Sequence, residues 1–180
     1  RAPVWKAMEY CLEQGWVKAI GVSNYGQAHL EAMKEYATYL PCVNQVEFSP
    51  WLQRPHLRQA TKDVGAKVMA YSPLARGHKV NDPELMKIAE EIGCTPAQVA
   101  IKFCYDEGCI TIPKSSNPFR IVENIEALDI DISGKYEEIK SNKDLFKEFE
   151  NPNDVLMFVV EGQIHLCRNV VVLNQKTKAE

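Results

Sequence analysis

The chain has 180 residues, enough for a real hydrophobic core, and 46% hydrophobic with 25% charged residues is the balance of a soluble globular protein. A net charge of -3, with no long run of one sign, leaves no basis for a general nucleic-acid or membrane-surface role. The apolar stretch at 155–160 is too short to span a bilayer and the start at Arg1-Ala2-Pro3 has no secretory pattern, so a cytoplasmic location is expected. Six cysteines, none in a C-x-x-C pair, read as reduced thiols packed as small hydrophobes rather than as a metal site.

The chain opens on a period-3.6 stripe of Trp5, Met8 and Leu12, with Gly15 placed to end a helix. Residues 17–22 form a short β-branched run closed by Ser23-Asn24, the pattern of a buried strand and a polar loop. A helix follows with Leu30, Met33 and Ala37 facing inward. A strand at 42–48 closes at Ser49-Pro50, and Pro55 starts a helix whose stripe is Leu57, Ala60, Thr61 and Val64. The next strand, 67–71, closes at Ser72-Pro73. Two helices follow, one burying Leu85, Ile88, Ala89 and Ile92, the other opened by a capping box in Thr95-Pro96-Ala97-Gln98. A strand at 109–112 ends at Pro113, and Asn117-Pro118 starts a helix expected to bury Ile121, Ile125 and Leu128.

Strand and helix thus alternate four times, with continuous apolar strands, which predicts an α/β fold with a parallel sheet covered by helices. The first strand-to-helix loop lacks G-x-G-x-x-G, which weakens a dinucleotide-binding doubly wound sheet. After residue 139 the rhythm breaks. Ser133 caps a helix carrying Tyr136 and Ile139, and two strands are expected at 155–160 and 164–173, plausible as a hairpin around Glu161-Gly162-Gln163. The polar end, 174–180, is expected to fray.

The chemistry-bearing segments all follow strands. They are Gly21-Val22-Ser23-Asn24-Tyr25, then Val43-Asn44-Gln45-Val46-Glu47 through Pro50, then Tyr71-Ser72-Pro73-Leu74-Ala75-Arg76, and finally Pro113-Lys114-Ser115-Ser116-Asn117-Pro118-Phe119-Arg120. The last is the most informative alone. Lys114 and Arg120 bracket a helix start whose free N–H groups would favour an anion, and Ser115 and Ser116 add hydroxyl donors. The ordinary alternative is a solvated, capped helix start.

In order and spacing, the four segments together resemble the second half of the aldo-keto reductase barrel, over residues 4–139. The resemblance implies a partial (β/α)8 TIM barrel, its last four β/α units at 1–139, followed by a divergent tail at 140–180. It implies NADP(H) as cofactor. Lys114, Ser115, Ser116 and Arg120 would hold the 2′-phosphate, with Glu123 and Asn124 near the adenine. Tyr71 would stack on the nicotinamide, Ser72 and Leu74 would reach the pyrophosphate, helped by Arg76, and Ser23, Asn24 and Gln45 would bind the carboxamide. Trp51 would line the mouth for a small carbonyl substrate, an aldehyde or ketone.

The family's tyrosine acid, with its lysine, aspartate and histidine, belongs to segments that do not occur in this sequence. No catalytic residue is therefore assigned, and a truncated chain, inactive alone, is expected. The four histidines are scattered and read as structural or solvated. Four parallel strands would leave open sheet edges, at 17–22 and 109–112, which predict self-association or cover from the tail hairpin. The competing reading, from another class, is a non-catalytic NADP(H)-sensing or protein-binding module.

Overall fold

The computed structural model describes residues 1–141 and the strand segments 157–160, 163–166 and 169–173. Helix α1 (Ala2–Glu13), strand β1 (Ala19–Ser23), α2 (Gln27–Tyr36), β2 (Val43–Glu47), α3 (Pro55–Asp63) and β3 (Lys67–Tyr71) alternate as expected. They are followed by α4 (Pro83–Ile92), α5 (Pro96–Asp106), β4 (Ile110–Thr111), α6 (Pro118–Glu126) and α7 (Tyr136–Ser141). The tail holds three strands, β5 (Met157–Val160), β6 (Gln163–Leu166) and β7 (Asn169–Leu173), where two were expected. The expected breaker 151–153, the turn residues Glu161 and Gly162, and the end 174–180 lie outside the described residues.

The helix ends show why these segments fold locally. Asp82 accepts from the N–H groups of Glu84 and Leu85 at 3.2 Å each, Pro83 takes the first helical position, and Gly93 closes α4 at φ 82°. Thr95 and Gln98 form the expected capping box on α5, with bonds of 3.0 and 3.2 Å. Gly15, at φ 71°, turns the chain out of α1.

The strands follow the order β4-β3-β2-β1-β7. β1 and β2 are parallel, with Val22 opposite Asn44 and Ser23 opposite Gln45. β3 and β4 are parallel, with Met69 opposite Ile110. β7 runs antiparallel to β1 along Ala19–Ser23, and β5 pairs antiparallel with β6. Gly21 of β1 lies tight against Val43 of β2: a Cβ there would meet Val43 Cγ2 at 2.5 Å and the Val43 carbonyl at 2.9 Å.

Two compact units divide the chain, one of Arg1–Val46, Pro55–Val68 and Phe149–Glu180, the other of Glu47–Arg54 and Met69–Glu148. The core of the first is built on Trp5, Ile20, Val22, Leu30, Met33, Ala60 and Val64. Its loop 37–41 is pinned by the buried Glu9, whose Oε1 accepts from the N–H of Thr38 at 2.5 Å and of Tyr39 at 2.9 Å while Oε2 pairs with Lys6 at 2.8 Å. Burial pushes the Glu9 carboxyl up, but the Lys6 ammonium and the two N–H donors outweigh it and hold the group below the usual glutamate range. The second unit packs Phe48 against Phe103, rings parallel at 6.3 Å, with Val99, Ile101, Ile132 and Ile139 buried. In it the buried Glu107 carboxylate accepts a hydrogen bond from the Tyr136 hydroxyl and pairs with Lys140 at 3.0 Å, which ties α7 to α5.

One expectation fails in this unit. Ile121, Ile125 and Leu128 are not buried; they are 44%, 65% and 45% exposed. The stripe exists, but among the described residues no element covers it. Helix α6 is instead held at its polar positions: Glu123 Oε1 accepts the Thr95 hydroxyl at 2.6 Å, and the Glu123 carbonyl accepts from Gln98 Nε2 at 3.3 Å.

Candidate functional site

In the first unit the structure brings Ser23, Asn24 and Gln45 together at the ends of β1 and β2. The Gln45 carbonyl accepts from the Ser23 hydroxyl at 3.0 Å and from the Asn24 N–H at 2.9 Å. Asn24 itself sits at φ 55°, in the left-handed region, where Asn pays less than most side chains. Ser23 is buried, and Asn24 and Gln45 are half-buried.

A residue that the sequence reading did not single out controls this loop. Asn44 is fully buried, with 0% exposure. Its Oδ1 accepts from the Tyr25 N–H at 3.3 Å, and its Nδ2 donates to the Tyr25 carbonyl at 2.8 Å and to Thr61 Oγ1 at 3.2 Å. The signal in the sequence is an amide at Asn44 between the apolar Val43 and the polar Gln45 of β2, and such an amide demands partners once buried. Tyr25 packs into the core, its ring edge-on to His29 at 5.6 Å. Burial and the neighbouring Tyr36 hydroxyl push its phenol up, so it stays protonated at neutral pH.

In the second unit Tyr71 ends β3, half-buried, and its carbonyl accepts from the Phe48 N–H at 3.3 Å. Ser72 lies at φ 50° and its carbonyl accepts from the Ala75 N–H at 2.9 Å; Leu74 is half-buried in the same turn. Ala75 and Arg76 also take positive φ, 45° and 56°. Positive φ at non-glycine residues persists where the surroundings over-determine it, a pattern common at binding sites. Here it marks residues just beyond β1 and β3, and also Arg54, at φ 42°, in the loop after β2.

The loop after β4 departs from expectation in one respect. The helix-start N–H groups are not free. Asn117 Oδ1 accepts from Phe119 N–H at 2.9 Å and from Arg120 N–H at 3.5 Å, because an Asn before Pro is itself a strong N-cap. Ser115 Oγ accepts from the Asn117 N–H at 3.1 Å. The loop is therefore held by its own side chains, and what it offers an anion is charge and hydroxyl rather than backbone. Lys114, Ser116 and Arg120 are exposed, and among the described residues neither cation is in an ion pair. This donor set, two cations without an ion pair among the described residues and a hydroxyl, fits a phosphate. Glu123 and Asn124 are half-buried, and the Glu123 carboxylate already holds Thr95.

Trp51 lies in the loop after β2, 7% exposed, so it is a buried ring rather than an open wall. Its indole N–H has no hydrogen-bond partner among the described residues. A buried indole normally finds one, and a bound molecule's oxygen is one way to supply it. Among the described residues no helix is long and apolar enough to cross a membrane.

Comparison with known proteins gives one consistent answer. The model of the Aldo/keto reductase family matches residues 1–141. An uncharacterized oxidoreductase of Saccharomyces cerevisiae is 33% identical over 149 residues, 82% of this chain and 53% of its own length. Glyoxal reductase of Bacillus subtilis is 40% identical over 129 residues, 72% of this chain and 47% of that protein. Among solved structures, the aldose reductase from Schistosoma japonicum superposes with a TM-score of 0.73 at 30% identity, over 78% of this chain and 46% of that one. An aldo-keto reductase enzyme from a deep-sea metagenome library gives 0.72 at 35% identity, over 82% and 57%. The chain spans about half the length of the curated relatives it matches.

Proposed function

Because this chain belongs to the aldo/keto reductase family, we propose that it binds NADP(H) in the service of carbonyl reduction. The observation that carries the reading is the loop after β4, where Lys114 and Arg120 stand exposed and without an ion pair among the described residues, on a turn fixed by Ser115 and Asn117. Two cations suit the extra phosphate of NADP, whereas the ribose hydroxyl of NAD is more often met by a carboxylate. Lys114 and Arg120 neutralise that phosphate, and Ser115 and Ser116 supply hydroxyls. Glu123 and Asn124 would serve the adenine, Ser72 and Leu74 the pyrophosphate, and the Tyr71 ring the nicotinamide. Ser23, Asn24 and Gln45 take the carboxamide, which decides which face of the ring is presented.

NADPH, when bound, supplies the hydride for a carbonyl carbon. The glyoxal reductase among the relatives supports an aldehyde or ketone as substrate. Reduction also needs an acid to protonate the carbonyl oxygen. The sequence contains none of the segments that carry this acid in the family, so the chain by itself holds cofactor without turning over a carbonyl.

Fluorescence titration with NADPH and NADH tests the reading. The double variant Lys114→Ala, Arg120→Ala should weaken NADPH by about 1.5 kcal/mol or more, charge-assisted contacts being worth roughly 1.5–3 kcal/mol each, and leave NADH little changed. Equal loss for the two cofactors overturns the assignment of the cations to the 2′-phosphate. Turnover of a generic aldehyde by the purified chain at about 1 per second or faster would overturn the statement on activity.

A further inference from the structure

The left-handed backbone of Asn24 is held from both sides. The peptide plane before it, between Ser23 and Asn24, is pinned through the Asn24 N–H to the Gln45 carbonyl at 2.9 Å. The plane after it, between Asn24 and Tyr25, is pinned through the Tyr25 N–H to Asn44 Oδ1 at 3.3 Å. Asn44 then returns a donor to the Tyr25 carbonyl at 2.8 Å, so one amide grips both polar groups of a single residue. Thr61 Oγ1, on α3 and itself 0% exposed, accepts a hydrogen bond from the same Nδ2 at 3.2 Å and so sets which way the amide faces. Fixing the two planes that flank a Cα fixes its φ and ψ, and with them the direction in which the side chain leaves the backbone. An αL conformation outside glycine is costly and persists only when it is over-determined in this way.

We propose that Asn44 is a positioning residue: it does not touch the cofactor, but by clasping Tyr25 it holds Asn24 in the left-handed conformation and aims the Ser23–Asn24 pair at the nicotinamide carboxamide. The inference rests on the NADP(H) reading given above. It adds a specificity determinant in the layer between sheet and helix, where an apolar residue would pack as well and a buried amide is kept only for what it binds.

The test separates the two ends of the nucleotide. NADPH carries both the carboxamide and the 2′-phosphate; adenosine 2′,5′-bisphosphate carries only the phosphate end. Dissociation constants for both are measured on the full chain and on Asn44→Ala and Asn44→Asp, with thermal unfolding recorded alongside. Asn44→Asp keeps the volume and the acceptor for the Tyr25 N–H but loses the donor to its carbonyl, so it provides a folded comparison if the alanine variant unfolds. Asn44→Ala should weaken NADPH about tenfold, equivalent to about 1.4 kcal/mol, and shift the bisphosphate by less than about twofold, with Asn44→Asp in between. Parallel changes for both ligands, or none for either, would overturn the role of Asn44 while leaving the nucleotide reading in place. A parent chain that binds neither ligand would overturn the nucleotide reading itself, and the role of Asn44 with it.

Discussion

Helices α2 and α6 are of similar length and each carries an apolar stripe, the more pronounced one on α6, yet they meet opposite fates. In α2, Leu30 and Met33 are fully buried against Trp5 and Val22. In α6, Phe119 is 85% exposed, Val122 54% and Ile125 65%. Both sequences repeat their apolar residues at helical spacing, and both segments are helical. What differs is whether another element lies over the stripe. Periodicity reports which face of a helix is apolar; only the rest of the chain decides whether that face is covered. The attachment of α2 is therefore hydrophobic, whereas α6 is capped by its own Asn117 and attached through Glu123 and the buried Ala127 at its end.

The sharpest way to break this contrast is a pair of truncations. Leu30→Ala should cost about 3 kcal/mol or more, as buried Leu→Ala changes do, while Ile125→Ala should stay within about 0.5 kcal/mol. Both are read as shifts in urea midpoint at constant slope. Comparable losses would mean that the α6 face is covered in solution. A smaller effect tests the polar attachment: Asn117→Ala removes the cap on α6 and should cost about 1 kcal/mol, more than any single apolar truncation on its exposed face. An order in which Phe119→Ala outweighs Asn117→Ala would reverse the account of how α6 is held.

The smallest effect expected is a change of slope with pH. Glu9 titrates below the ordinary glutamate range when folded, so the unfolded chain takes up its proton first. Its contribution is complete above the ordinary glutamate pKa and is lost as pH falls through the lower folded value. Glu9→Gln should flatten the acid limb of the stability curve and lower the neutral-to-alkaline limb without changing its slope. An acid limb of the same steepness in Glu9→Gln would remove Glu9 from the list of groups that drive acid unfolding.

The features that were legible in the sequence are those whose causes are local. Thr95 with Gln98, and Gly15, act within four residues of the helix ends they define, and each of these helix ends falls where they place it. Strand β3 falls on its expected residues, but β4 holds two residues where four were expected, since a strand extends only as far as its neighbour offers partners. The Asn44 clasp was not legible because its partners are 17 and 19 residues away and become neighbours only when β1, β2 and α3 are assembled. The cap on α6 was legible as a helix start at Asn117-Pro118, yet its consequence was not: the side chain that starts the helix also occupies the N–H groups thought to await an anion. In the tail, the run expected as one strand from Ile164 holds two, β6 and β7, with different partners.

Gly21 has a consequence that reaches beyond its own position. It stands opposite Val43, one step before the Val22–Asn44 pair and two before Ser23 and Gln45. The separation of the two strands at that point is set by an atom that is not there. A methyl group at Gly21 would act as a wedge, and the wedge would open toward the place where the Ser23 hydroxyl reaches the Gln45 carbonyl at 3.0 Å. The glycine thus serves as the gauge for the whole strand end, and a residue with no side chain sets the reach of those that have one.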